Sequence, residues 1–115
     1  MEQHIAITVR GREGLDALMD PRFGRARWYL LVAGSEVEVL DNPAFDAQHG
    51  AGIAAAALMG EKGVTDVIAG HFGPKAERGL AGQGVRMWNA PEGLTAREAV
   101  ERLARGELAA QGTPR

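Results

Sequence analysis

Val64-Thr65-Asp66-Val67-Ile68-Ala69-Gly70-His71-Phe72-Gly73-Pro74 is a β-branched, strand-forming run that passes through a glycine joint to a proline suited to the first turn of a helix. Just before it, Ile53-Ala54-Ala55-Ala56-Ala57-Leu58-Met59 has high helix propensity, is apolar all round and ends at Glu61-Lys62-Gly63, so a buried helix is predicted. Just after it, a helix through about Ala81 leads to the short strand Val85-Arg86-Met87-Trp88. Helix, strand, helix and strand in this order predict right-handed strand–helix–strand units with parallel strands.

The flanks complete a mixed α/β pattern. His4-Ile5-Ala6-Ile7-Thr8-Val9-Arg10 reads as a central strand, while Gly11 to Arg25, broken by Gly11, Gly14, Pro21 and Gly24, reads as a structured loop with one helical turn. Trp28–Val32 and Glu36–Leu40, joined at Ala33-Gly34-Ser35, form a predicted hairpin whose second strand alternates charged and apolar residues like a half-exposed edge. Thr95-Ala96-Arg97-Glu98 is a capping-box pattern for a last helix. Residues 1–106 are expected to form one domain, with 107–115 fraying as a polar tail.

Composition narrows the chemistry. The 115 residues are 45% hydrophobic and 24% charged, with a net charge of −2 that argues against an extended nucleic-acid surface. No segment approaches membrane-spanning length and no secretory leader is visible, so a cytoplasmic location is expected. With no cysteine, disulfides, thiolate zinc sites and clusters held by the chain's own thiolates are excluded. Asp16, Asp20, Asp41, Asp46 and Asp66 lack the spacing of a metal-binding or acid–base pair and read as solvated loop acids. Ser35, the only serine, sits in the hairpin turn, so no nucleophile is apparent and a non-enzymatic role is expected.

Two of the three histidines stand at glycine joints that open helices, His49-Gly50-Ala51-Gly52 and Gly70-His71-Phe72-Gly73-Pro74. The first N–H groups of a helix have no intrahelical acceptor and the dipole is positive there, so each joint is a candidate anion site. If the first three strands form an antiparallel meander and the fourth runs parallel to the first, the loops bearing Arg25, His49 and His71 leave one sheet edge. The candidate ligand-binding residues are therefore Phe23, Gly24, Arg25, Gly50, Ala51, Gly52 and Gly73, with His49 and His71 as candidate metal ligands. On the residues alone, the glycines are equally consistent with tight loops and close helix–sheet contact, and each histidine with a cap or surface position.

Asp20-Pro21-Arg22-Phe23-Gly24-Arg25-Ala26, Asn42-Pro43, His49-Gly50-Ala51-Gly52-Ile53-Ala54 and Val67-Ile68-Ala69-Gly70-His71-Phe72-Gly73-Pro74-Lys75-Ala76 occur in this order. Together they resemble the dinitrogenase iron–molybdenum cofactor biosynthesis family over roughly Ile5 to Leu103. The resemblance implies a three-layer α/β/α, ribonuclease-H-like fold with a five-stranded mixed sheet. It also implies binding or carrying of the iron–molybdenum cofactor or an iron–sulfur precursor during nitrogen fixation, with metallocluster assembly proteins as partners of a monomer or small homo-oligomer. Without thiolates, imidazole, carboxylate or anion contacts would hold such a cluster, which suits transient binding. The alternative is a small-anion or phosphate-metabolite binding module that never meets a cluster.

Overall fold

The computed structural model describes residues 3–111. Its strands are β1 (Ile5–Val9), β2 (Trp28–Ala33), β3 (Glu36–Asp41), β4 (Asp66–Ala69), β5 (Arg86–Asn89) and β6 (Ala109–Ala110), and its helices are α1 (Ala51–Glu61), α2 (Pro74–Gly82) and α3 (Ala96–Ala104). The sheet order is β3-β2-β1-β4-β5-β6. β1 is central, with Ile7 opposite Leu30 of antiparallel β2 and opposite Ile68 of parallel β4. The meander and the two parallel crossovers are those the sequence predicts.

The sheet has six strands, not five. Ala109 and Ala110 pair antiparallel with Asn89 and Trp88, Asn89 Nδ2 donates to Gln111 Oε1 at 2.7 Å, and Leu108 is buried beside them. Two alanines carry no strand signal, so this pairing is imposed by the otherwise open edge of β5. The part of the expected frayed tail at 112–115 lies outside the described residues.

Alternation along the strands divides the core between the two sheet faces. Ala6, Tyr29, Val67 and Ala69 face α1 and α2, whereas Ile5, Ile7, Val9, Leu30 and Ile68 face α3. α1 is not buried all round: Ala51, Ala55, Ala56 and Met59 are covered, but Ile53 is 55% exposed. Nothing among the described residues covers its outer side. Small side chains let α1 and α2 approach closely; a Cβ on Gly79 would lie 3.0 Å from Ala56 Cβ, and Gln83 Nε2 donates to Ala56 O at 2.8 Å. α3 begins with the predicted capping box, in which Thr95 Oγ1 accepts from Glu98 N and Glu98 Oε1 accepts from Thr95 N. No helix among the described residues is long and apolar enough to cross a membrane.

Two of the expected loop acids are instead buried. Asp20 is 7% exposed, and its Oδ1 accepts from Arg22 N at 2.9 Å. Asp66, fully buried at the start of β4, accepts from Trp88 Nε1 at 2.9 Å and Thr65 Oγ1 at 2.7 Å and pairs with Arg86 Nε at 3.0 Å. Burial pushes its carboxyl up, but the hydrogen bonds from Trp88, Thr65 and Arg86 outweigh that and hold it below the ordinary carboxylate range. A carboxyl that is a stronger acid folded than unfolded contributes stability above its unfolded pKa and loses it as pH falls through its folded one. Asp66→Asn should therefore lower the unfolding free energy at pH 7 by about 1.5–3 kcal/mol, the range for hydrogen bonds to a charged group. In urea denaturation the gap to the wild type should close as pH drops below the ordinary carboxylate range; equal stability at pH 7 would refute this role.

Candidate functional site

β1, β3, β4 and β5 all deliver their carboxyl ends to one sheet edge. There the loop after β1, the start of α1 and the start of α2 enclose a cleft of about 450 Å³. Phe23, Gly24, Arg25, Gly50, Ala51, Gly52 and Gly73, all expected at a common site, line it together with His71. His49 does not: it is exposed on the loop before Gly50, outside the cleft lining. Arg22, Ile53 and Lys75 line the cleft as well, and the sequence reading did not place them there. Arg22 and Lys75 both lie within the family-like runs, which was the available signal.

Backbone pairing sets the cleft wall. His71 N donates to Pro21 O at 2.7 Å and Phe23 N donates to His71 O at 3.0 Å, so the Arg22 loop is bonded directly to the joint that opens α2. The Phe23 ring is buried against Tyr29 and Phe72, with ring centroids 5.6 and 5.3 Å away, so its part is to anchor the loop. Tyr29 Oη donates to Phe23 O at 2.5 Å and accepts from Asn42 Nδ2 at 3.1 Å. Burial, with a smaller effect from the Asp20 charge, pushes the Tyr29 phenol well up, so it keeps the proton this bond requires. Asn42 Nδ2 also donates to Gly24 O and Ala26 O, its Oδ1 accepts from Ala44 N, and Arg25 Nη1 donates to Ala47 O. The loop after β3 is thereby tied to the loop after β1.

The electrostatics favour an anion. Arg22, Arg25, Lys75 and His71 line the cleft, and none of the described residues that line it is acidic. α1 and α2 both begin here, at Gly50 and Gly73, with no side-chain cap, in contrast to α3. Gly50 has φ 76°, a left-handed conformation that disfavours the side chains that would otherwise cap the helix. No group of three or more histidine, cysteine or carboxylate side chains that could hold a metal ion occurs among the described residues. His71 can offer one imidazole nitrogen, and any further hold on a metal-containing ligand falls to charge and backbone N–H groups.

Residues 3–106 match the family model described as dinitrogenase iron-molybdenum cofactor. The chain belongs to the dinitrogenase iron-molybdenum cofactor family. Among solved structures, the apo form of the orange protein from Desulfovibrio gigas is 39% identical, with a TM-score of 0.91 over 100% of this chain and 98% of that one. A putative NifB protein from Thermotoga is 30% identical, with a TM-score of 0.84 over 98% of this chain and 97% of that one. An uncharacterized protein of Methanocaldococcus jannaschii is 33% identical over 63 residues, 50% of this chain and 53% of the relative. The chain thus spans about half the length of the curated relative it matches. Family and neighbours point to a role in biosynthesis of the iron–molybdenum cofactor or a related cluster.

Within this family member, cleft geometry rests on absent side chains. A Cβ on Gly24 would lie 3.1 Å from Gly52 Cα and N, and a Cβ on Gly52 would lie 3.2 Å from Ala76 Cβ. Gly52→Ala gains about 1 kcal/mol of helix propensity to set against that crowding, whereas Gly24, outside any helix, gains nothing comparable. Gly24→Ala should therefore cost about 1–3 kcal/mol, the usual range for overpacking, while Gly52→Ala stays within about 1 kcal/mol of wild type because its two effects oppose. Urea titration of both variants checks the ordering; a Gly24→Ala protein as stable as wild type would contradict it.

Proposed function

We propose that the chain is a carrier that receives an anionic iron–molybdenum cofactor, or an iron–sulfur precursor of it, as cargo in the cleft. One observation carries this reading: two uncapped helix N-termini and four basic side chains converge on a 450 Å³ cleft with no acidic lining residue. That volume falls within the usual range of about 300–1,000 Å³ for small-molecule sites. Family membership supports cluster-assembly cargo over other anions. The absence of cysteine favours loading and release over permanent attachment, since charge contacts and one His71 imidazole dissociate more readily than thiolate bonds. The same reading makes the chain a cytoplasmic binding protein, not an enzyme, that meets cluster-assembly proteins as a monomer or small homo-oligomer. The ribonuclease-H-like layering belongs with it, supported by helices on both sheet faces.

Anaerobic titration with isolated cofactor tests the proposal. Saturable binding should weaken about tenfold in His71→Ala and again in Lys75→Glu, each a loss of about 1.4 kcal/mol. His49→Ala should bind as wild type does, because its side chain is off the cleft. Raising the salt concentration should weaken uptake, as expected for partly exposed charges. Unchanged binding in a His71→Ala/Lys75→Glu protein would overturn the cleft assignment, and stabilisation by phosphate compounds with none by cofactor would favour the small-anion module.

A further inference from the structure

The sheet edge that holds the cleft carries a second charged feature that cargo binding leaves unused. Val9 pairs with Trp28 in antiparallel register, so Arg10, just after Val9, and Arg27, just before Trp28, leave the sheet opposite each other. With Arg22 they line a groove of about 500 Å³ whose remaining walls are Asp20 and Pro21. Arg22 also lines the cleft, so groove and cleft adjoin. Asp20 is engaged by Arg22, with Arg22 Nε 3.6 Å from its Oδ1. Arg10 and Arg27 have no carboxylate partner among the described residues.

This arrangement runs against local stability. Like charges at opposed positions repel, and three guanidinium groups share one carboxylate in a chain whose net charge is −2. Departures from local consistency of this kind concentrate at functional sites. Arg27 is also held in place: its guanidinium carbon lies 4.2 Å from the Phe45 ring centroid and 5.3 Å from that of Trp28. A guanidinium fixed in this way loses less conformational freedom on pairing, and arginine beside aromatic rings is the composition of interface hot spots.

We propose that this groove docks an acidic face of the protein that delivers or receives the cargo. Its role in transfer rests on the carrier reading; the docking itself does not. Charge complementarity and adjacency to the cleft select this occupant, since a protein seated on Arg10 and Arg27 would place its own surface at the cleft mouth. Nucleic acid fits less well: the chain as a whole is negative, and Arg27 covers the aromatic faces on which bases would stack. Pairs between partly exposed charges are weak and salt-sensitive, which suits a handover.

The test uses the full chain labelled with ¹⁵N, titrated with a synthetic Glu/Asp-rich peptide and, separately, with a single-stranded oligonucleotide of equal charge. The peptide should shift the Arg10 and Arg27 Nε–Hε signals saturably, and Arg10→Glu/Arg27→Glu should weaken it at least about tenfold. Arg10→Glu alone, which removes no side-chain hydrogen bond or ion pair among the described residues, should give a smaller loss in the same direction and guards against misfolding of the double variant. Both variants should still take up isolated cofactor, somewhat more weakly than wild type because the reversed charges lower the positive potential at the adjoining cleft. No saturable peptide shift, tighter binding of the oligonucleotide, or loss of cofactor uptake together with peptide binding would each overturn the proposal. Peptide docking at Arg10 and Arg27 in a protein that takes up no cofactor would sustain the groove and overturn the carrier reading alone.

Discussion

The close approach of Gly24, Gly52 and Ala76 is the constraint on which the rest of the site depends. Gly24 meets the backbone of α1 at Gly52, and Gly52 meets the Cβ of Ala76, where larger side chains would hold the three segments apart. α1 and α2 both start at the carboxyl edge of the sheet, so this contact brings two positive helix ends together. Their mutual repulsion is unfavourable, and an anion between them would relieve it. Burial of Ala55, Met59, Ala76 and Leu80 against the sheet keeps the helices in place meanwhile. Fold stability thus maintains an arrangement that is electrostatically unfavourable.

A second, polar layer fixes the loops to this frame. Asn42 and Tyr29 are both buried, and between them they bond to Phe23, Gly24, Ala26 and Ala44. Among the described residues no buried side-chain nitrogen or oxygen lacks a partner. A network so fully satisfied rigidifies its surroundings, whereas a half-satisfied one would destabilise them. Arg22, Arg25 and His71 therefore project into the cleft from loops that are anchored, and Lys75 from the first turn of α2, which lowers the entropy lost when they engage a ligand.

Much of this was legible in the sequence because glycine and β-branched residues punctuate it so regularly. Alternation in His4–Arg10 and Glu36–Leu40 and the joints at Gly50 and Gly73 gave the meander, the crossovers and the edge where the loops meet. What escaped depends on tertiary context. Ala109–Ala110 becomes a strand only because β5 offers an unpaired edge, and α1 is half exposed because its alanines are equally compatible with burial and with solvent. Asp66 looked like a solvated acid because its partners Arg86 and Trp88 lie 20 and 22 residues away. His49 shared a local setting with His71, yet only His71 is bonded through its backbone into the cleft wall.

On the carrier and docking readings, the charges at this edge would divide between two tasks that oppose each other. A cleft that gripped an anionic cluster through several coordinate bonds would hold it firmly and release it slowly, because most differences in affinity appear in the dissociation rate. Partly exposed charges and helix ends bind more weakly and respond to their surroundings, since their strength depends on local screening and dielectric. An acidic surface brought against Arg10 and Arg27 would lower the positive potential along an edge continuous with Arg22 at the cleft. Docking and loosening of the anion would then be one electrostatic event, with Arg22 common to both, and release would require no change in the fold.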